Sequence, residues 1–327
     1  MFNFHFDYFR NGRGNHLRTI LLSFFAMFVF ALALLIPGIF LLIGTGIYNY
    51  TLDFYGNPST GGTITLIICA ALSLITSLVI YIFVFIPLCY GYMTFYKNTD
   101  LGNRPHFRDL FTFLKKGQYV KTLKITAVIA LMSIVGYIAV YIVFFVAYLI
   151  FIAVFGTTLA IMGPESENLS TPAAITSAVV IFLFLLVVMF VIYIPIYYLI
   201  ILLINVTLVH IDQSSLPSFK KVSIAWNITT KGPNSAWKLL FANLLYYIGL
   251  YIIIVVIVLI SVLISTLIFT HLPTFIGVII SIIFYIIYMI VITILTYLIY
   301  GSVVNFYHKN KNALYPTNNS APVESNE

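Results

Sequence analysis

The chain has 327 residues and a formal net charge of +7, yet it is 62% hydrophobic and only 8% charged, with a mean hydropathy of +1.08. A water-soluble globule has roughly a quarter of its residues charged, so this composition excludes that class and points to a membrane protein. The positive surplus calls for no nucleic-acid partner, because anionic lipid headgroups can take it up at about 1 kcal/mol per basic residue near the surface.

The opening residues "MFNFHFDYFRNGRGNH" place aromatics at 2, 4, 6, 8 and 9. These rings either anchor the segment at the membrane surface or dock beneath a helical bundle. An apolar run from about Thr19 to Ile47 follows. It is too long for a signal peptide and lacks a small-residue cleavage site, so it reads as a retained first span. Five more runs cover about Thr63 to Phe95, Ile125 to Ala153, Ile175 to Val209, Leu239 to Phe269 and Phe275 to Phe306, the last two separated only by "THLPT". Each is long enough to cross a hydrocarbon core of about 30 Å at 1.5 Å per residue. They are apolar on every face, unlike the alternating strands of a membrane barrel. The expected fold is all-α, with six transmembrane helices in three hairpins over 19–307, a basic aromatic segment at 1–18 and a disordered polar tail at 308–327.

The sixteen Lys and Arg residues divide three before span one, seven between spans two and three, four between spans four and five, and two after span six. The other connections hold only Asp53, Glu165 and Glu167 as fixed charges. The positive-inside rule then puts both termini and both basic loops in the cytoplasm.

Between spans two and three, "RPHFRDLFTFLKK" occupies 104–116. In an α-helix, Phe107, Leu110, Phe111 and Leu114 share one face, Arg108, Asp109, Thr112 and Lys116 take the other, and Lys115 sits at the border. The pattern predicts an interfacial helix among cytoplasmic headgroups, starting at Pro105 and stopping at Gly117; the alternative is a solvated loop that only sets topology. After span four, "LPSFKKVSIAWNITTKGP" repeats the Pro–Phe spacing and predicts a second such helix, with Phe219, Lys220, Lys221 and Trp226 at the interface. Ile224 and Ile228 depart from its stripe.

Upstream of these loops, "FIPLCYGY" at 85–92 echoes "YIPIYYLI" at 193–200. With "GYMTFYKN", "RPHFRDLF" and "SFKKVSIAWNITTKGPNSAWKLL", these segments resemble a family of uncharacterised multi-pass membrane proteins of Gram-positive bacteria. They are also similar to the membrane domain attached to some bacterial glycerophosphodiester phosphodiesterases. The resemblance covers about residues 83–124 and 189–240 and implies a bacterial plasma membrane. It supplies no catalytic residues, and six spans leave no length here for a phosphodiesterase domain.

Candidate chemistry is sparse. The six histidines lie near membrane boundaries or in the tails, with no metal-ligand spacing or cofactor motif; His210 beside Asp212 is the nearest approach to an acid–base pair. Cys69 and Cys89, about 30 Å apart along one helix, cannot form a disulfide and read as packing residues. No ionisable residue lies at mid-span, which disfavours proton-coupled transport. What remains is tyrosine: Tyr137 and Tyr141 in span three, Tyr193 and Tyr197 in span four, Tyr251 in span five, and Tyr285 and Tyr288 in span six. Their hydroxyls need partners in hydrocarbon. They either bond between helices or line a cavity for a lipid or peptide, opened by kinks at Pro37, Pro87 and Pro195. The expected function is a non-enzymatic accessory or scaffold protein of the cell envelope, without cofactor or metal, acting through membrane lipids with anionic headgroups and a membrane protein partner. The alternative is a permease or resistance factor for a lipid, peptide or other weakly charged solute.

Overall fold

A backbone crossing hydrocarbon finds no water for its polar groups, so each long apolar run closes its own hydrogen bonds as a helix. The computed structural model describes residues 2–53, 56–162, 171–269 and 274–316, and only the backbone for parts of the later spans. The described residues are 86% helical. The described residues hold no strand, only an isolated bridge between Leu52 and Pro58. Six helices are long and apolar enough to cross a membrane, and the molecule is an all-α polytopic membrane protein.

A short helix α1 (Asn3–Asn11) precedes the first span, α2 (His16–Tyr50). The second span is built from α3 (Thr60–Ile80), a π-helical turn at Tyr81–Phe85 and α4 (Ile86–Asp100). Then come α5 (Tyr119–Met162), α6 (Thr171–Asp212), the short α7 (Ser218–Thr230), α8 (Ala236–Phe269) and α9 (Thr274–Leu314). Consecutive spans pack as three hairpins, α2 on α3, α5 on α6 and α8 on α9. Six crossings bring the first and last described residues, the two long connections and every Lys and Arg to one end, here called the basic end. Helix α9 continues through residues 308–314, which therefore belong to the bundle rather than the expected tail; residues 317–327 lie outside the described residues.

The π turn has a local cause. Proline at position 87 has no N–H for the carbonyl of residue 83 and crowds the turn before it, and the chain answers by widening that turn. The hydroxyl of Tyr119 donates to the Phe83 carbonyl at 3.1 Å, so the acceptor released by Pro87 is satisfied from the start of the third span.

Buried side chains gather at the basic end, with α4 at their centre. It touches α1, α2, α5, α6 and α9, and Leu88, Tyr90, Phe95 and Tyr96 are all buried. Residue 91 has to be glycine, because a Cβ there would overlap the backbone of Leu110. A Cβ at Gly301 of α9 would likewise overlap the Tyr8 ring. These two close approaches seat the 104–116 segment and α1 on the bundle. Of the N-terminal aromatics, Phe4 and Tyr8 dock on the bundle together with His5, Phe4 meeting Phe306 edge to face at 5.5 Å between centroids, whereas Phe6 and Phe9 stay exposed.

The first interfacial helix requires correction. Residues Phe107–Leu114 form a 3-10 helix, not an α-helix. With three residues per turn, positions 107, 110 and 113 line up, so the face expected from a 3.6 period is rotated. Leu110 is 0% exposed and Phe113 is buried, both in the core of the protein rather than among headgroups. Phe111 and Leu114 pack partly against that core. Phe107 remains 43% exposed and meets Phe25 of α2 at 4.5 Å between centroids. Lys115 and Lys116 are exposed. Asp109 closes the first turn by accepting the His106 N–H at 3.0 Å and the Asn98 amide at 2.9 Å, and Arg18 donates to the Pro105 carbonyl at 2.7 Å.

The second helix, α7, exists, but the side it buries is rotated from the one expected. Lys221, Ala225, Ile228 and Thr229 face inward, following the i, i+4, i+7 and i+8 spacing of one helix face. Ile228 left the expected stripe because it belongs to this buried one. Phe219, Lys220 and Trp226 stay on the surface. Lys221 does not: it is 1% exposed.

Candidate functional site

Four acidic side chains lie at the basic end among the described residues, and each joins separate elements. Asp212, at the end of α6, pairs with Lys97 of α4 at 2.5 Å and with Lys311 of α9, and accepts the Tyr307 hydroxyl at 2.7 Å. One carboxylate thus ties together the basic ends of all three return spans. Asp7 of α1 pairs with Lys309 of α9 and with Arg10 at 2.8 Å. Asp109 holds the 3-10 segment to α4 through Asn98. Asp100, at the end of α4, is the most enclosed. Its Oδ1 accepts from Asn305 at 2.8 Å and Asn11 at 3.2 Å, and its Oδ2 accepts the Nδ1–H of His308 at 2.5 Å.

Two further networks complete this polar layer. His210 and Asp212 do not face each other, so the expected acid–base pair is not formed. Instead Lys221 donates to Nδ1 of His210 at 2.8 Å and to the Ser214 carbonyl at 3.0 Å. Nε2 of His210 then donates to Thr122 at 3.1 Å, and Thr122 donates to the Gln118 carbonyl at 3.0 Å. Burial, with Lys121 nearby, lowers the Lys221 pKa. Beneath α1, Nε2 of His5 donates to Asn243 at 2.8 Å, as does Ser302 at 3.1 Å. Tyr246 stacks on the imidazole at 4.3 Å between centroids, and burial lowers the His5 pKa to about 4.

Around Asp100 the layer opens into a pocket of about 410 Å³ lined by Asn11, Asp100, Leu101, Gly102, Asn305, His308, Lys309 and Asn312. That volume lies within the range of small-molecule sites. The lining has no hydroxyl or thiol nucleophile, and no three His, Cys, Asp or Glu side chains converge as metal ligands among the described residues. What it offers is hydrogen bonding around one buried carboxylate.

The tyrosines do not line a common cavity. Tyr137, Tyr141 and Tyr251 are exposed on the outer faces of α5 and α8, Tyr141 by 72%. Tyr193 and Tyr197 stack at 5.3 Å, with Tyr247 edge-on to both, a packed cluster rather than a space. Tyr288 is half-buried, and the side chain of Tyr285 lies outside the described residues. Cys69 and Cys89 are free.

Sequence reasoning missed the asparagines. Asn205, Asn243, Asn305 and Asn310 are buried; Asn205 donates to Thr229 at 2.9 Å, and Asn310 joins the end of α7 to the loop after it, donating to the carbonyls of Ile228 at 2.9 Å and Asn234 at 3.0 Å. An amide at the end of an apolar run needs a partner as much as a charge does, which was the available signal. A second signal was "YGYMTFYKN" at 90–98 against "YGSVVNFYHKN" at 300–310. Each carries the glycine on which another element rests, followed by the Phe–Tyr pair and lysine of the polar layer.

The fold and this layer define a class: a polytopic helical membrane protein whose spans are bolted together at one end. Comparisons with family models, curated proteins and solved structures each find no match.

Proposed function

We propose that this protein is a non-enzymatic scaffold or accessory protein of a bacterial plasma membrane, with its basic end and both termini in the cytoplasm. One observation carries the reading: the acids of the basic end join α1, α4, α6, α9 and the 3-10 segment to one another, so the charge chemistry there goes into rigidity. The exposed Lys115, Lys116, Phe219, Lys220 and Trp226 suit contact with anionic headgroups around that platform, and the exposed apolar faces of α2, α3 and α5 offer area to a membrane partner. The competing reading, a permease for a weakly charged solute, is favoured by an apolar groove of about 340 Å³ lined by Phe2, Phe6, Leu245, Tyr246, Gly249, Ile253 and Leu295. Purification from the native membrane in mild detergent separates the two. A membrane protein retained at a fixed ratio to the chain supports the scaffold; a retained lipid or peptide without protein, together with its flux across reconstituted vesicles, overturns it.

A further inference from the structure

The apolar groove beside α1 takes Phe2 and Phe6 from that helix and Leu245, Gly249 and Ile253 from α8, and the Tyr246 hydroxyl is the one polar side-chain atom in its lining. Leu245 and Ile253 stand eight residues apart, about 12 Å along the helix. Phe6 is 70% exposed and Leu245 46%, so the docking of α1 leaves the rim of the groove bare. A Cβ at Gly249 would meet nothing within 4 Å. This glycine admits no neighbouring element, unlike Gly91 or Gly301, and leaves a gap in the surface of α8.

Lys238 sets the depth of that gap. It is exposed and forms an ion pair with none of the described acids. Leu245 and Gly249 follow it at i+7 and i+11, each within about 20° of it around the helix. Trp237 beside it is 50% exposed, and a Trp–Lys pair at the end of an apolar span marks the headgroup level. Leu245 then lies about 10 Å deeper along α8 and Ile253 about 22 Å deeper, past a headgroup layer about 5–8 Å thick. The groove therefore sits in hydrocarbon, with an unpaired cation above it on the same helix face. Size argues against a partner helix, because one turn about 10 Å wide fills about 420 Å³ and the groove measures about 340 Å³. A flexible hydrocarbon chain needs no such width.

We propose that this groove seats one acyl chain of an anionic phospholipid from the leaflet at the basic end, with its phosphate at Lys238 and Phe2 and Phe6 packed against the chain. The lipid joins α1 to α8 and stabilises the docked α1, whose Phe2 and His5 already rest on Tyr246. The site rests on neither the scaffold nor the permease reading, since the experiment below reads binding, whereas flux decides between those two.

The test uses the purified full chain in nanodiscs of equal phosphatidylglycerol and phosphatidylcholine with identical acyl chains, read by native mass spectrometry. Gly249→Leu fills the gap, Gly38→Leu on α2 is the matched control because a Cβ there also meets nothing, and Lys238→Gln removes the charge. Phosphatidylglycerol retained by the parent and the control, and lost about tenfold or more in Gly249→Leu, supports the groove. A fall of about fivefold in the preference for phosphatidylglycerol in Lys238→Gln supports the headgroup contact. Amide exchange over residues 3–11 needs no groove variant: it should be slower in phosphatidylglycerol nanodiscs than in phosphatidylcholine ones for the parent, and equal in the two for Lys238→Gln. The proposal is overturned if the parent retains no lipid or retains both equally, if folded Gly249→Leu matches the control, if Lys238→Gln keeps the preference, or if a second copy of the chain appears in place of lipid.

Discussion

Nδ1 of His308 lies 2.5 Å from Oδ2 of Asp100, across 208 residues of chain, and joins the end of the second span to the end of the sixth. Both residues are buried, so removing one partner strands the other. Asp100→Asn is expected to cost about 3 kcal/mol, read as a lower thermal midpoint in detergent. In the double variant Asp100→Asn with His308→Gln, the second change should cost far less than it does alone. Additive losses would show that the two side chains are not coupled.

Seating of the 3-10 segment on α4 depends on Gly91. Gly91→Ala would drive a methyl group into the Leu110 backbone, which cannot rotate aside, and should release residues 104–118 to rapid amide exchange. Gly136→Ala is the control, since it meets only the Leu199 side chain, which can change rotamer. Equal exchange in the two variants would refute the close approach.

Docking on protein, as opposed to lipid, also predicts an order among the apolar residues of that segment. Leu110→Ala should destabilise the fold by about 2–5 kcal/mol as a core cavity. Phe107→Ala should cost less, because Phe107 keeps 43% of its surface exposed. A headgroup-embedded helix would instead give the two similar losses, visible in binding to anionic vesicles and not in thermal stability.

The docking of α1 should respond to acid. Burial holds the folded-state pKa of His5 near 4, below its ordinary 6.5, so the released segment binds the proton more readily than the docked one. Docking is then fully stable above about pH 6.5 and weakens as pH falls towards 4, by at most about tenfold per pH unit for one proton. Amide exchange over residues 3–11 between pH 7 and pH 4.5 measures it, and His5→Gln should flatten the response. A parent profile as flat as that of the variant would contradict the assignment.

Orientation can be read by thiol labelling in a background with Cys69 and Cys89 replaced by Ala. A cysteine at Thr60 should react with an impermeant reagent in intact bacterial cells, and cysteines at Lys116 or Ser223 should react only after lysis. Labelling of either basic-end site in unbroken cells would invert the proposed threading.

Six spans, three hairpins and the gathering of Lys and Arg at one end follow from the sequence by itself, because run length against bilayer thickness and the position of each charge are local quantities. Even the widened turn before Pro87 has a local origin, in a missing N–H and a crowded carbonyl. What the periodicity at 104–116 could not reveal is that the segment winds with three residues per turn, since Gly91, on a neighbouring helix, draws Leu110 against its backbone. Lys221 likewise reads as a surface charge until α6 brings His210 within 2.8 Å of it. The polar layer was decided by tertiary structure alone. Which side of each helix turns inward depends on how the hairpins rotate against one another, and only that rotation aims Asp100, Asn305 and His308 at a common point.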